Sequence, residues 1–331
     1  MNELVSVGIA VYNGEKTVER AIVSILNQSH KNLEIIIIDD NSTDNSFNIC
    51  SKFSKKDQRI KLFKNELNMG LIKNFNDLFI KSSGEFFLWS DQDDIRDKTF
   101  VEKTLNILRI NKSSVLCHCV TKVFFENPKN IFHINYMKKI ANTNNVVSRY
   151  KNLLWFYNDT NIYALIRSSS LKKTNLWKKM NGSSNNLLFE LCLLGKFEYI
   201  NESLFLYSGK EITKRPSIRE EYKIISKESS PILYSAGLIL FFNQFFGIIY
   251  SNISFYKKFI ISLLLIKHFF LINISKIIFR IFFNKKSQKI PKYINIICKY
   301  LYPDNTEVKN IVDVKKYPDY FPKYEKFIKL K

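Results

Sequence analysis

Short apolar runs alternate with stretches of helical periodicity through the first hundred residues. Strands are predicted over 4–11, 33–38, 60–63 and 85–89, and amphipathic helices over 15–28, 44–56 and 71–82. Strands that alternate with helices predict a mostly parallel α/β sheet with helices on both faces, of the Rossmann-like kind. Ligands of such sheets gather outside the carboxyl ends of the strands.

The pattern is mixed between residues 98 and 200. A helix is predicted near 100–108, strands over 115–125, 161–166 and 197–200, and a buried helix over 187–194. We therefore predict one domain over 1–210, whose first half (1–100) is the more regular and whose second half is 101–210.

A third pattern begins beyond about residue 210. Residues 229–256 contain no charged side chain, and lysines interrupt the apolar runs that follow to residue 274. About 20 mostly apolar residues span a bilayer, so 231–250 is long enough. Its embedded amides and the basic residues that follow favour helices lying on a membrane face instead, with plain packing in a soluble protein as the third interpretation. We predict a basic, aromatic-rich helical region over 211–331 at a membrane surface.

The charge is distributed unevenly along the chain. The 331 residues carry a formal net charge of +21. Residues 1–100 hold 13 Lys and Arg against 15 Asp and Glu, whereas 101–200 hold 15 against 5 and 201–331 hold 23 against 10. Excess basicity of this kind favours an anionic partner such as nucleic acid, a phospholipid surface or a phosphate-bearing substrate. The odd number of cysteines, five, and the lack of a recognisable signal peptide suit a cytoplasmic protein with reduced thiols.

The candidate chemistry follows the fourth predicted strand. Ser90-Asp91-Gln92-Asp93-Asp94 places three carboxylates at the end of a buried run. Like charges so close together repel unless a cation or a donor lies between them, and magnesium takes one or two carboxylates plus substrate phosphates. A metal–diphosphate site and the capping of a helix that begins near Asp97 are equally good interpretations of this cluster alone. Tyr12 and Asp40 also follow predicted strands, so both should meet Asp91 at one edge of the sheet.

Several short motifs share a spacing along the first hundred residues. They comprise Val5 to Gly14, Ser24 to Ser29, Glu34 to Asp44, Asn68-Met69-Gly70, Lys73-Asn74, Gly84-Glu85 and Asp91-Gln92-Asp93-Asp94. In combination they resemble the inverting family 2 glycosyltransferases of the bacterial surface-polysaccharide type, which have the GT-A fold. The resemblance is dense over 4–100, weaker over 100–210 and essentially absent beyond.

The resemblance implies that residues 1–100 are the nucleotide-binding half and residues 101–210 the acceptor half, with a donor site at the sheet edge. The residues implicated in binding a nucleotide sugar are Ala10, Tyr12, Asn13, Asp40, Lys73, Asp91 and Gln92. Tyr12 would stack on a pyrimidine and Asp40 would contact it. Asp91 would contact the ribose or the Mn²⁺ or Mg²⁺ ion, and Asp93 would bind the ion directly and be catalytic. The alternatives without a role in binding are that Tyr12 only packs against the first helix and that Lys73 is an ordinary surface lysine. Of the two adjacent acids after the second strand, we expect Asp39 to be the more structural.

The acceptor side departs from the family pattern. Inversion needs a general base for the acceptor hydroxyl, and related sequences place an acid where this chain has Ser184 and Asn185. The alternatives are Glu190, which could instead only pair with a lysine, Asp159 from a loop, or a weak or lost activity.

We expect a metal-dependent glycosyltransferase that moves a sugar from a UDP- or dTDP-sugar to a glycan or a polyprenyl-diphosphate-linked acceptor. It would act in cell-surface polysaccharide synthesis, at the anionic inner face of the cell membrane. The alternatives are an impaired homologue that acts as a binding or scaffold protein, and a nucleic-acid-binding protein. The near-neutral, acid-bearing first hundred residues disfavour nucleic acid as a partner.

Overall fold

The computed structural model describes residues 3–125, 127–135, 141–155, 159–180, 182–209 and 236–283. These residues form two compact units. The first unit holds the described residues up to Ile261, and the second holds those from Ser262 onward. The sheet and the candidate site lie in the first unit. The predicted boundary between residues 210 and 211 stays a prediction.

One mixed sheet organises the first unit. Its strands within the described ranges are β1 Val5–Val11, β2 Leu33–Asp39, β3 Ile60–Lys64, β4 Phe86–Asp91, β5 Ile95–Arg96, β6 Ser114–Phe124, β7 Ile131–Asn135, β8 Leu165–Arg167 and β9 Lys196–Ser208. Their order is β3-β2-β1-β4-β8-β6-β9-β5, and β7 pairs with β6. The first four strands in this order are parallel to one another, and antiparallel pairing begins between β4 and β8.

The helices of the described residues are α1 Val18–Leu26, α2 Ser46–Ser54, α3 Leu71–Ile80, α4 Phe100–Ile110, α5 Val146–Trp155, α6 Ser168–Leu171, α7 Ser183–Leu194, α8 Ala236–Tyr250 and α9 Phe255–Phe283. A 3-10 turn over Asp159–Tyr163 precedes β8. The alternation of strand and helix through α3 is the predicted one.

The parallel half of the sheet is covered on both faces. Every residue of β2 is buried, and six of the seven residues of β1 are. Helix α3 lies so close to β1 that a Cβ on Gly8 would come within 2.9 Å of Leu78 and Phe87. Strands that are apolar on both faces need helices on both sides to bury them. This explains why the most apolar runs of the first hundred residues form the central strands.

The predicted α/β fold is confirmed. The elements β5, β7, α5 and α6 were not predicted, and several predicted elements differ at their ends. Helix α1 begins at Val18 rather than at 15, and β2 and β4 each continue into an aspartate. The predicted strand 161–166 is wrong over its first half. The Ala164 N–H donates to the Asn161 carbonyl, which closes a turn, and β8 begins only at Leu165.

The C-terminal part of the described chain is helical, as predicted. Helices α8 and α9 cover most of the 231–274 interval, while residues 210–235 and the basic residues beyond 283 lie outside the described residues. Within the described ranges, none of the helices combines the length and apolar character that a membrane crossing requires.

Candidate functional site

Three strand ends meet at one edge of the sheet. Ala10 on β1 is in register with Ile38 on β2 and with Asp91 on β4, and Val11 is in register with Asp39. The residues that follow β1 and β2, Tyr12 and Asp40, therefore leave the sheet beside Asp91. The structure thus brings Tyr12, Asp40 and Asp91 to the same edge, which is the carboxyl end of the parallel strands.

The loops after β1 and β2 are fastened to each other. Asn13 has a positive φ of 48°. Its N–H donates to Ser42 Oγ at 3.0 Å, and its side-chain oxygen accepts from the Thr43 N–H at 2.9 Å. The Asp44 carboxylate accepts from the Glu15 N–H at 3.0 Å. Asn13, which we predicted to bind the donor, therefore shapes the loop through its backbone and its side chain.

Gln92 connects the acidic loop to the loop after β1. Its Oε1 accepts from the Tyr12 N–H at 2.8 Å, and its Nε2 donates to the Tyr12 carbonyl at 3.0 Å. A Cβ on Gly14 would lie 2.3 Å from Gln92 Oε1, so glycine at this position makes the contact possible. The Tyr12 side chain is left 46% exposed at the edge. An exposed ring beside the acidic loop differs from a tyrosine that is packed into the core.

Asp39 and Asp40 have different partners. Asp39 is fully buried and accepts the Ser42 N–H at 3.0 Å, within its own loop. Asp40 accepts from Asn65 Nδ2 at 2.8 Å, from the Met69 N–H at 2.6 Å and from the Gly70 N–H at 2.9 Å. The carboxylate of Asp40 thus holds the segment that leads into α3. Its predicted contact with a pyrimidine stays a prediction.

The three carboxylates of the acidic loop lie in different surroundings. Asp91 and Asp93 are half-buried, and Asp91 Oδ2 accepts the hydroxyl of Tyr163 at 2.5 Å. The Arg20 guanidinium donates to the Asp93 carbonyl at 3.1 Å. Burial raises the pKa of the Tyr163 hydroxyl well above its ordinary value, and the Asp91 charge raises it further. Tyr163 therefore stays a hydrogen-bond donor to Asp91.

Asp94 is fully buried beneath the other two acids. Its Oδ1 accepts the N–H of Ser208 at the end of β9 at 3.0 Å. Burial raises the pKa of Asp94 well above its ordinary value, and the Asp91 and Asp93 charges add to the rise. Asp94 therefore ties the acidic loop to the end of β9.

The donor set suits a divalent cation that is completed by substrate. Among the described residues, no group of three or more His, Cys, Asp or Glu side chains forms a complete protein cage for a metal. Asp91 and Asp93 are hard oxygen ligands at an accessible edge. Magnesium and manganese sites of this type take one or two carboxylates and draw further ligands from phosphates and water. The residues present fit such an ion.

Lys73 lies on the exposed face of α3. Its Nζ is 2.6 Å from Asp77 Oδ1, in an i,i+4 ion pair. A lysine held in this way has to exchange partners before it can meet a diphosphate. The predicted contact of Lys73 with the donor stays a prediction, and this geometry favours the surface-lysine alternative.

Glu190 on α7 is enclosed by protein donors. Its two carboxylate oxygens accept from the Asn175 N–H at 2.7 Å, from Asn175 Nδ2 at 3.0 Å and from Asn186 Nδ2 at 2.9 Å. Lys178 Nζ lies 3.9 Å from Oε1, and Gly247 of α8 packs against the Glu190 side chain. These contacts are those of a structural carboxylate that joins α7 to the segment before it. They count against the predicted role of Glu190 as the base.

The sequence did not indicate Arg20, Tyr163 or Ser208 as contributors to the site. Tyr163 reaches Asp91 across 72 positions of sequence, and Ser208 reaches Asp94 across 114. Neither Tyr163 nor Ser208 belongs to a local motif, and the Ser208 contact uses only a backbone N–H. Only the pairing of β9 and the position of the 3-10 turn could have revealed these two residues.

Relatives among known proteins agree with the fold and the motifs. The chain is 41% identical to a glycosyltransferase of Haemophilus influenzae over 108 residues, which is 33% of each protein. It is 32% identical over 187 residues to WfaP of Escherichia coli, a UDP-Glc:alpha-D-GlcNAc-diphosphoundecaprenol beta-1,3-glucosyltransferase, covering 52% of this chain and 74% of WfaP. The chain thus spans only about a third of the length of the first of these relatives.

Solved structures show the same fold at low identity. S. aureus TarS 1–349 in complex with UDP superposes with a TM-score of 0.59 at 17% identity, covering 98% of this chain and 88% of that one. The mannosyltransferase PcManGT of Pyrobaculum calidifontis, in complex with GDP-Man and Mn²⁺, gives 0.52 at 11% identity, covering 99% and 88%. The glycosyl transferase family 2 model matches residues 6–174, just over half of the 331 residues. This chain, with its GT-A sheet and its acidic loop at the sheet edge, belongs to glycosyl transferase family 2.

Proposed function

We propose that the chain transfers a sugar from a UDP- or dTDP-sugar, with inversion and with a divalent metal, to a glycan or lipid-linked glycan of the bacterial surface. The observation that carries this proposal is the two-point hydrogen bonding of Gln92 to the main chain of Tyr12. It holds the acidic loop and the loop after β1 together before any ligand arrives. A nucleoside diphosphate needs both surfaces at once, an aromatic one for the base and an acidic one for the metal-bound phosphates.

Each side of the sheet edge has a distinct task in this proposal. The exposed Tyr12 ring stacks on the pyrimidine, and Asp40 lies at the base-binding end, where it holds the loop before α3. Asp91 and Asp93 bind the cation, and the Tyr163 hydroxyl fixes the orientation of the Asp91 carboxylate. Bound Mn²⁺ or Mg²⁺ supplies charge neutralisation for the departing nucleoside diphosphate.

We propose Asp159 as the acceptor base in place of Glu190. Both oxygens of Glu190 are engaged by protein donors. Asp159 begins the 3-10 turn whose last residue, Tyr163, binds Asp91. The 3-10 turn therefore contains both Asp159 and Tyr163, the residue that contacts the acidic loop. A base must come within hydrogen-bond reach of the acceptor hydroxyl beside the donor sugar.

The acceptor that we propose carries a lipid diphosphate. WfaP acts, by its name, on a diphosphoundecaprenol-linked sugar, and it shares 32% identity with this chain. The residues beyond 100 carry 38 basic against 15 acidic side chains, which suits a diphosphate and an anionic membrane. We propose that the protein works at the inner face of the cell membrane, without a nucleic-acid partner.

A screen of nucleotide sugars tests the proposal. The full chain is incubated with UDP-, dTDP- and GDP-sugars, with Mn²⁺ or with EDTA and with an undecaprenyl-diphosphate-linked sugar, and release of nucleoside diphosphate is measured. We expect release from a UDP- or dTDP-sugar that stops with EDTA. Binding of donors without turnover on any acceptor would support the impaired-homologue alternative, and no binding at all would refute the donor site.

A further inference from the structure

Helix α8 exposes a stripe of large apolar side chains. Phe242, Phe246 and Tyr250 follow one another at i, i+4 and i+8 and are 50%, 51% and 83% exposed. Their rings stack along the helix, with centroids 6.4 Å and 6.3 Å apart. Leu238 and Ile249 flank this aromatic stripe and are also exposed. Single exposed apolar residues are ordinary, whereas a contiguous apolar patch marks a site of interaction.

The opposite side of α8 is attached to the catalytic domain. Gln244 and Ile248 are buried there, and Gly247 packs against Glu190 of α7. Lys178 Nζ donates to Asn243 Oδ1 at 2.8 Å. The helix therefore presents the aromatic stripe from a fixed position on the half of the domain that carries α7.

More large aromatic side chains are exposed shortly after the end of α8. Phe255, Tyr256 and Phe259 at the start of α9 are exposed as well. Lys257 lies among them with an exposed side chain, and Lys258 follows it. The sequence from 229 to 303 contains ten Lys and Arg and no Asp or Glu. Apolar and aromatic side chains beside lysines, with no acid, are the chemistry of a surface that meets anionic lipid headgroups.

We propose that the aromatic stripe of α8, with the start of α9, is the face on which this protein docks on an anionic bilayer. Aromatic rings settle at the level of the headgroups, and lysines next to them bind lipid phosphates. A second copy of the chain is the competing occupant. Charge argues against it, because two copies of a patch that is basic without acids repel each other.

Docking in this orientation would place the α7 side of the domain next to the membrane. A sugar carried by a lipid diphosphate would then reach the proposed acceptor base near the acidic loop while its lipid chain stays in the bilayer. This consequence rests on the proposed function, whereas docking itself does not.

Vesicle sedimentation with the full chain tests the docking face. Phe246→Ser/Tyr250→Ser removes two exposed rings, and Ile80→Ser/Ile110→Ser is the matched control, with exposed apolar residues elsewhere on the domain. On phosphatidylcholine–phosphatidylglycerol vesicles we expect the stripe variant to bind about tenfold more weakly. The control should bind as the unmodified chain does. Equal binding of both variants would overturn the proposal.

Charge reversal separates headgroup binding from plain hydrophobic adhesion. Lys257→Glu should weaken binding by about fivefold or more on the anionic vesicles and have little effect on pure phosphatidylcholine. Lys258 is left unchanged, because its Nζ donates to the Ile249 carbonyl near the end of α8. Lys56→Glu reverses an exposed lysine just after α2 and should change neither. If the stripe variant instead abolishes self-association in sedimentation velocity, with vesicle binding unchanged, the face joins two copies and the proposal is wrong. UDP binding, measured in parallel, reports on the donor site alone, so each proposal can fail without the other.

Discussion

Residues 1–100 and residues 101–209 of the first unit use their polar side chains in different ways. In the first segment, Gln92, Asn13 and Asp40 bind backbone groups of neighbouring loops and leave the Tyr12 ring and two carboxylates at the edge. In the second segment, the carboxylate of Glu190 accepts hydrogen bonds from Asn175 and Asn186. The loops at the edge are therefore held by hydrogen bonds among themselves, across 30 to 80 positions of sequence. The second segment reaches the same edge through Tyr163 and Ser208, across 72 and 114 positions.

Asp159→Asn should produce the largest effect in the acceptor half. Removing a general base costs about 10²–10⁴-fold in rate, so we expect turnover to fall at least about a hundredfold with donor binding unchanged. Steady-state kinetics with the best donor and acceptor, together with UDP calorimetry, make this measurement. Full turnover by the variant would remove Asp159 from the mechanism and leave the acceptor half without an assigned base.

Glu190→Gln should act on stability rather than on chemistry. The amide keeps the size of the carboxylate but replaces one acceptor with a donor that faces the Asn175 and Asn186 donors. Mispairing of buried polar groups costs about 1–3 kcal/mol, and urea unfolding measures it. Glu202→Gln, which affects only a surface pair with Lys103, is the control and should change stability by less than about 1 kcal/mol. A stable Glu190→Gln variant with no turnover would restore Glu190 as the base.

Tyr163→Phe tests whether the hydrogen bond from Tyr163 positions the Asp91 carboxylate for metal binding. The variant loses the hydrogen bond to Asp91, and a hydrogen bond to a charged group is worth about 1.5–3 kcal/mol. We expect kcat/KM to fall about tenfold, with a weaker response to Mn²⁺. Tyr150→Phe provides the matched control, because the buried hydroxyl of Tyr150 has no hydrogen-bond partner in the described part of the chain. Identical kinetics for the two variants would show that the Tyr163 contact does not position Asp91.

Lys73→Ala should have the smallest effect. An exposed i,i+4 pair contributes about 0.3–0.5 kcal/mol to stability, and the pair with Asp77 engages the ammonium. We expect a loss of that size in urea unfolding and a UDP affinity within about twofold of the unmodified chain. Lys103→Ala is the control for loss of a surface pair. A much larger drop in UDP affinity for Lys73→Ala alone would show that Lys73 exchanges Asp77 for the diphosphate.

The sequence was most informative where contacts are local. The periodicity of residues 4–91 predicted each strand and helix from β1 to β4, because each carries its own apolar pattern, whereas the short β5 was not predicted. The meeting of Tyr12, Asp40 and Asp91 followed from strand ends alone. The partners of Asp91 and Asp94 did not, because Tyr163 and Ser208 arrive through the mixed part of the sheet beyond β4, whose pairing no periodicity encodes. For Glu190 the sequence offered pairing with a lysine as an alternative to catalysis, but not the hydrogen bonds from Asn175, which lies in a segment without regular structure before α7.

The central claim is that Asp91 and Asp93 join a metal to a nucleoside diphosphate at the edge that Gln92 and Tyr12 hold together. Calorimetric titration of UDP, with Mn²⁺ and with EDTA, tests it most directly on the unmodified chain, on Asp93→Asn and on the surface control Asp57→Asn. We predict that Mn²⁺ tightens UDP binding by about tenfold or more in the unmodified chain and in Asp57→Asn, and that Asp93→Asn loses this gain. The same gain from Mn²⁺ in Asp93→Asn, or no UDP binding by the unmodified chain, would contradict the claim.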